Sequence, residues 1–335
     1  MIDYIRRLLR KSSPALTAGN PSGPAGQSPQ VDISDSLEFE EELARELEPL
    51  LSLQRMPSPG QDGAARLDLP SGEQAAAVLR YGGLLGQGQS AESFILTSDV
   101  EHQPARLLLG ITEGNYKAPV TGLAGVIALS TLAQHICGPR RSSDLELDLR
   151  RGFAVASQRL REVARMEASP RLSRWKFSSF MGMPPDRFTC PMASVTAFAV
   201  CGSTAVLGHI GEGRAYLLRR GQILRLSEDH TLTGQMWISQ ETIDFHGDVP
   251  IRLLGGSISE ERFGEVQFEQ VGLEPMDTLL LLSANGLEAT EARYAAVRHA
   301  VESPDTICQR LLDRPESQQR PARSATVVAC RRTFS

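Results

Sequence analysis

The sequence predicts an α+β fold in which a β-sandwich is flanked by pairs of helices. Three observations carry this. Strand-like runs come first in the body of the chain, two long helical segments interrupt them, and further strands and helices close it. The turn signals between strands, at Cys201-Gly202-Ser203 and Arg220-Gly221, favour antiparallel hairpins. With 335 residues and 41% hydrophobic content, the chain is long enough for one large domain of about 250 residues plus extra segments.

The elements follow in order. Residues 1–11 place Ile2, Ile5, Leu8 and Leu9 on one helical face, with Arg6, Arg7, Arg10 and Lys11 elsewhere. Such a segment reads as weak contact with a membrane surface or an acidic partner, or as a frayed cationic tail, because so short a helix is marginal in water. Residues 12–30 are rich in Ser, Pro, Gly and Gln. They lack the apolar surface that would offset the entropy of ordering, so 1–30 reads as a basic start with a flexible linker. An acidic amphipathic helix is expected over 31–54, opening at Asp35 and Glu38 with Phe39, Leu43, Leu47 and Leu50 on one face. It packs onto the body, docks a basic partner, or covers a cleft. The Pro/Gly-rich stretch 55–74 reads as a second linker, and 75–335 as the folded domain.

Within that domain, 76–85, 92–98 and 105–112 read as strands. Small apolar residues at helical spacing mark 121–137, and 144–167 is a longer arginine-rich amphipathic helix. Strands are expected at 194–201, 204–210, 214–219 and 222–226, then at 265–271 and 277–283. Helices at 289–302 and 304–313 precede a closing strand at 325–331. The loop 182–190, near Trp175 and Phe180, reads as a packed insertion or a partner surface.

Composition excludes several classes of function. A formal charge of −5 argues against non-specific nucleic-acid binding. No apolar run is long enough to span a membrane, and the N-terminus lacks the apolar core of a signal peptide. Five scattered cysteines show no zinc-ligand spacing and read as reduced, buried thiols of a cytoplasmic protein. No P-loop or dinucleotide fingerprint stands at a strand–helix junction, and spacing assembles no Ser/His/Asp constellation.

Four segments carry a resemblance. They are Gly211-Glu212-Gly213-Arg214-Ala215-Tyr216, Glu228-Asp229-His230, Leu279-Leu280-Leu281-Leu282-Ser283-Ala284-Asn285-Gly286 and Ala325-Thr326-Val327-Val328. Together they resemble the metal-dependent serine/threonine protein phosphatases of type 2C, the PPM family, over about residues 75–331. The resemblance implies a four-layer α-β-β-α sandwich. It also implies a pair of Mg or Mn ions, bridged by aspartates, that activate water for in-line attack on phosphorus.

The acids expected for that chemistry are only partly present. Where the family opens with an arginine and an Asn-Glu-Asp, this chain has Gly88, Glu92 and Ser93. Glu113-Gly114 stands for the bridging Asp-Gly, keeping a carboxylate and a backbone carbonyl. Glu212 replaces the aspartate of Gly-Asp-Ser-Arg. Asn285 stands in Ser-Asp-Gly, and Arg323 in the closing Asp-Asn. Hard divalent cations need several anionic oxygens, and a guanidinium beside them repels them. Arg323 either replaces a metal by pairing Glu113 or Glu92, or points to solvent. His230 reads as part of a structural corner, and His209 as a strand residue beside the glycine turn.

The sequence therefore predicts no confident catalytic residue and no resident cofactor. It predicts a pseudophosphatase, a regulatory or scaffolding module in phosphorylation signalling whose partner is a kinase or a phosphoprotein. The alternative is a divergent Mn- or Mg-dependent serine/threonine phosphatase using Glu92, Glu113, Gly114, Glu212 and Asn285 around one or two weakly held metals.

Overall fold

The computed structural model describes residues 63–69, 73–80, 92–100, 103–114, 121–167, 192–231, 250, 252–255, 266–284, 303–312 and 325–332. All belong to the second of two units into which the chain divides, Gln54–Ser335. The expected segments 1–30 and 31–54, the loop 182–190, the helix 289–302, and the positions Gly88, Asn285 and Arg323 lie outside the described residues.

The strands are β1 (Gly63–Asp68), β2 (Glu73–Arg80), β3 (Glu92–Asp99), β4 (Arg106–Gly114), β5 (Ala193–Cys201), β6 (Thr204–Ile210), β7 (Arg214–Arg219), β8 (Gln222–Arg225), β9 (Gln267–Gly272), β10 (Thr278–Leu282) and β11 (Ala325–Arg332). They form two antiparallel sheets. The first runs β1-β2-β11-β10-β7-β8 and the second β3-β4-β5-β6-β9. The helices are α1 (Thr121–Cys137), α2 (Leu145–Glu167) and α3 (Pro304–Leu312). The first two pack on each other and on the second sheet, and α3 packs on β2 and β11 of the first. This is the α-β-β-α sandwich.

Strand β1 departs from the expected linker over 55–74. Gly63–Asp68 pairs antiparallel with β2, Gly63 opposite Leu79 through Asp68 opposite Gln74. Ala65 and Leu67 of β1 join the apolar interior.

Strand β10 reads as an unbroken leucine run because both its faces are covered. Leu279 and Leu281 join Phe94, Leu109, Phe198, Leu217 and Val328 between the sheets. Leu280 and Leu282 join Ile307, Cys308, Leu311 and Val327 under α3. Alternation of side chains along a strand makes this split, and each buried leucine contributes roughly 1.5–3 kcal/mol relative to an exposed one. On the helix side of the second sheet, Gly208 leaves room for Phe153 of α2. A Cβ there would lie 2.3 Å from the ring. No described helix is long and apolar enough to cross a membrane.

Candidate functional site

The inward-facing rows of both sheets are apolar through the middle of the sandwich and turn polar at one end. On the second sheet the same face that carries Phe94 and Leu96 ends in Glu92, and the face carrying Leu109 and Ile111 ends in Glu113. Ser194 and Thr196 stand in the same relation to Phe198 and Val200 on β5. On the first sheet, Ser283 follows Leu281, and Thr326 precedes Val328. The period-2 pleat brings these polar groups together although they come from five separate segments.

Register fixes the neighbours. Glu92 sits opposite Glu113 across β3 and β4, and Glu113 opposite Ser194 across β4 and β5. Both carboxylates are buried, at 7% and 2% exposure. Each receives a donor from the other sheet. The Thr326 hydroxyl donates to Glu92 Oε2 at 2.8 Å, and the Ala284 amide donates to Glu113 Oε1. Ser283 and Thr326 hold each other, with Ser283 N–H on the Thr326 carbonyl at 3.0 Å and Thr326 N–H on Ser283 Oγ at 2.9 Å.

Glu212 arrives by the turn that carries the chain from β6 in the second sheet to β7 in the first. Ser194 Oγ accepts both the Glu212 amide, at 3.1 Å, and the Gly213 amide, at 3.4 Å. Gly211 begins this turn with φ +114°, and a Cβ there would lie 2.2 Å from Ser194 Oγ. Only glycine combines that backbone conformation with so close an approach. The outcome is a crowd of like charges. Burial first, then the charges of Glu212 and Glu92, push the Glu113 carboxyl well above the usual carboxylate range; the Ala284 amide opposes them.

The two histidines lie beside the same turn, their rings tilted at 34° with centroids 4.8 Å apart. His209 is fully buried. Its Nε2–H donates to the Glu228 carbonyl at 2.8 Å and its Nδ1 accepts from Thr196 Oγ1 at 2.9 Å. Both ring nitrogens are thus engaged in one neutral tautomer. Burial pushes its pKa down to about 3 and that of His230 down to about 4. His230 Nδ1 accepts the Gly211 amide at 3.3 Å, and its own amide donates to the Gly211 carbonyl at 2.9 Å. Arg214 grips Asp229 through Nε at 2.9 Å and a terminal nitrogen at 2.7 Å. Glu228-Asp229-His230 is a corner that braces the Gly211 turn.

Of the sequence-predicted positions, the structure brings together Glu92, Glu113 and Glu212, with Gly114 ending β4 opposite Ala193. Ser93 sits opposite Thr112, on the other face of the pleat from Glu92 and Glu113. Sequence reasoning missed Ser194, Ser283 and Thr326. Their signal was a polar residue on the inward period of an apolar strand. It also missed Arg252, which the Ala193–Leu254 bridge brings near enough to His230 to disfavour its protonation.

Among the described residues no three His, Cys, Asp or Glu side chains converge as a metal site. Glu92 and Glu113 each already have one oxygen on a protein donor. Among the described residues, Glu113 Oε2 is buried and has no hydrogen-bond partner.

Solved structures of similar fold include serine/threonine phosphatases. The chain is similar to the Mycobacterium tuberculosis serine/threonine phosphatase PstP/Ppp, with 20% identity and a TM-score of 0.57, over 78% of this chain and 99% of that one. It is similar to the S. agalactiae serine/threonine phosphatase, with 16% identity and a TM-score of 0.57, over 77% and 99%. PppA, a regulatory component of T6SS in Pseudomonas aeruginosa, matches with 18% identity and a TM-score of 0.53, over 77% and 97%. No family model matches the sequence, and no curated protein does.

Proposed function

We propose that this chain, which has the fold of the type 2C serine/threonine phosphatases, is a pseudophosphatase. It keeps the sandwich as a cytoplasmic binding or regulatory module in phosphorylation signalling, with a kinase or a phosphoprotein as its partner. The observation that carries the reading is the capture of Glu92 by Thr326 and of Glu113 by the Ala284 amide. Those are the carboxylates a metal pair would need. Ser93, Asn285 and Arg323 stand where the resemblance expects further acids, and Gly88 where it expects the phosphate-binding arginine.

The partner proposal is supported by the family likeness alone: the similar solved structures are serine/threonine phosphatases, and one is described as a regulatory component. A cytoplasmic location is supported by the free thiols of Cys137, Cys201, Cys308 and Cys330.

One observation favours the second reading, a divergent Mn- or Mg-dependent phosphatase. Glu113 Oε2 is buried without a hydrogen-bond partner and faces the charges of Glu212 and Glu92, as a weak ligand set would. Such an ion would supply charge neutralisation for bound phosphate; the chain's part would be to hold Glu113 and Glu212 in place.

Turnover of p-nitrophenyl phosphate and of a phosphothreonine peptide, measured across millimolar Mn, separates the two. The first reading predicts rates equal to those of Glu113→Gln at every Mn concentration. Turnover that rises with Mn and disappears in Glu113→Gln establishes the second.

A further inference from the structure

We infer that Glu92 and Glu113 form a clasp between the two sheets, fastening this end of the sandwich with protein donors in place of bound ions. The inference deepens the pseudophosphatase reading and rests on its view that no metal pair is held here.

The argument is topological. Both carboxylates stand on the second sheet, on β3 and β4, and both donors belong to the first. Thr326 lies on β11 and Ala284 directly follows β10. The third fastening is Ser194 on β5, whose hydroxyl accepts two amides of the turn that crosses to β7. The three lie side by side, because Glu92, Glu113 and Ser194 are register neighbours across β3, β4 and β5. Through the middle of the sandwich the contact between the sheets is apolar and non-directional. Hydrogen bonds are directional, with narrow preferred distances and angles, so these set how far apart the sheets stand at this mouth. Removing a donor leaves a buried carboxylate short of a partner, which costs more than the bond itself contributes.

Ser283 makes the clasp rigid. Its two bonds to Thr326 lock the end of β10 to the start of β11, so the donors to Glu92 and Glu113 move as one unit. Glu212 has a different part. It crowds Glu113 with negative charge, and its own hold on the second sheet is through its backbone amide.

Thermal unfolding of the full chain, in chelator and again in millimolar Mn, tests this. The clasp predicts that Thr326→Val melts lower than the wild type in chelator, by about 2–4 °C for each kcal/mol lost in a domain of this size. Thr326→Ser, which keeps the hydroxyl, melts with the wild type. So does Glu92→Gln, whose amide oxygen still accepts, and Mn shifts none of them. Hydrogen exchange at the Ala284 amide is a second readout: protected in the wild type in chelator, and exposed in Glu113→Leu. If Thr326→Val melts with the wild type in chelator and the Ala284 amide exchanges freely, the clasp is overturned, whatever the turnover assays give. If the Thr326→Val loss is present but Mn raises the wild-type melting temperature, the clasp stands in the free protein and the metal-free reading fails.

Discussion

The two ends of the sandwich hold their buried acids in different ways. At the end where β4 begins, opposite charges are paired. Arg106 and Asp148 meet at 2.7 Å, both nearly fully buried. Arg141 meets Asp99 at 2.9 Å, and Arg219 meets Asp277 at 2.6 Å. At the other end, Glu92, Glu113 and Glu212 crowd one another, and Glu113 is held well above its usual pKa by burial and by its neighbours' charges. The first arrangement fastens a helix and hairpins to the sheets. The second is electrostatically costly and persists because the register and the Gly211 turn leave the acids nowhere else to go. Like charges concentrated at one end of a fold mark a site; paired charges mark architecture.

Breaking the paired end carries the largest expected effect. Asp148 accepts from Arg106 and from the Ser142 amide, so Asp148→Ala strands a buried guanidinium. It lowers stability by about 3–5 kcal/mol, read as a shift in the urea midpoint at unchanged slope. At the crowded end, Gly211→Ala forces a Cβ onto Ser194 at positive φ. It costs about 1–3 kcal/mol, read as a shift in the urea midpoint.

A pH series sharpens the contrast within the site. The histidines have depressed pKa values, so their stabilising share is present above the ordinary value of 6.5 and is lost as pH falls toward about 3 for His209 and about 4 for His230. Glu113 has a raised pKa, so its share is present below the ordinary value of 4.5 and is lost as pH rises from there through its folded value. The two oppose each other between about pH 4.5 and 6.5. Glu113→Gln therefore steepens the rise of stability with pH in that window, and His209→Gln flattens it, both measured by denaturant midpoints at successive pH values. The smallest effect belongs to the solvent. Arg220 pairs with Glu274 at 79% exposure, and Arg220→Ala changes stability by less than about 1 kcal/mol.

Much of the fold was legible because the strands obey simple periods. The leucine run at β10 and the Ala-Thr-Val-Val of β11 were placed within a residue or two. Strand β1 was not, because Ala64-Ala65-Arg66-Leu67 is short, weakly apolar and surrounded by Pro and Gly, and it becomes a strand only by pairing with β2. The acids of the site were legible from their motifs, but their partners were not. Thr326 and Ser283 look like ordinary strand residues, and only the packing of one sheet on the other shows that they face Glu92 and Glu113. Ser93, next to Glu92 in sequence, falls on the opposite pleat face, a distinction that motif alignment does not weigh.

The most direct test of the account is a calorimetric titration of Mn into the full-length chain at neutral pH. The account predicts no saturable heat up to millimolar Mn, in the wild type and in Glu113→Gln alike, because the inner carboxylates are already engaged by Thr326 and Ala284. Saturable binding in the wild type that vanishes in Glu113→Gln would contradict it and return the site to metal chemistry.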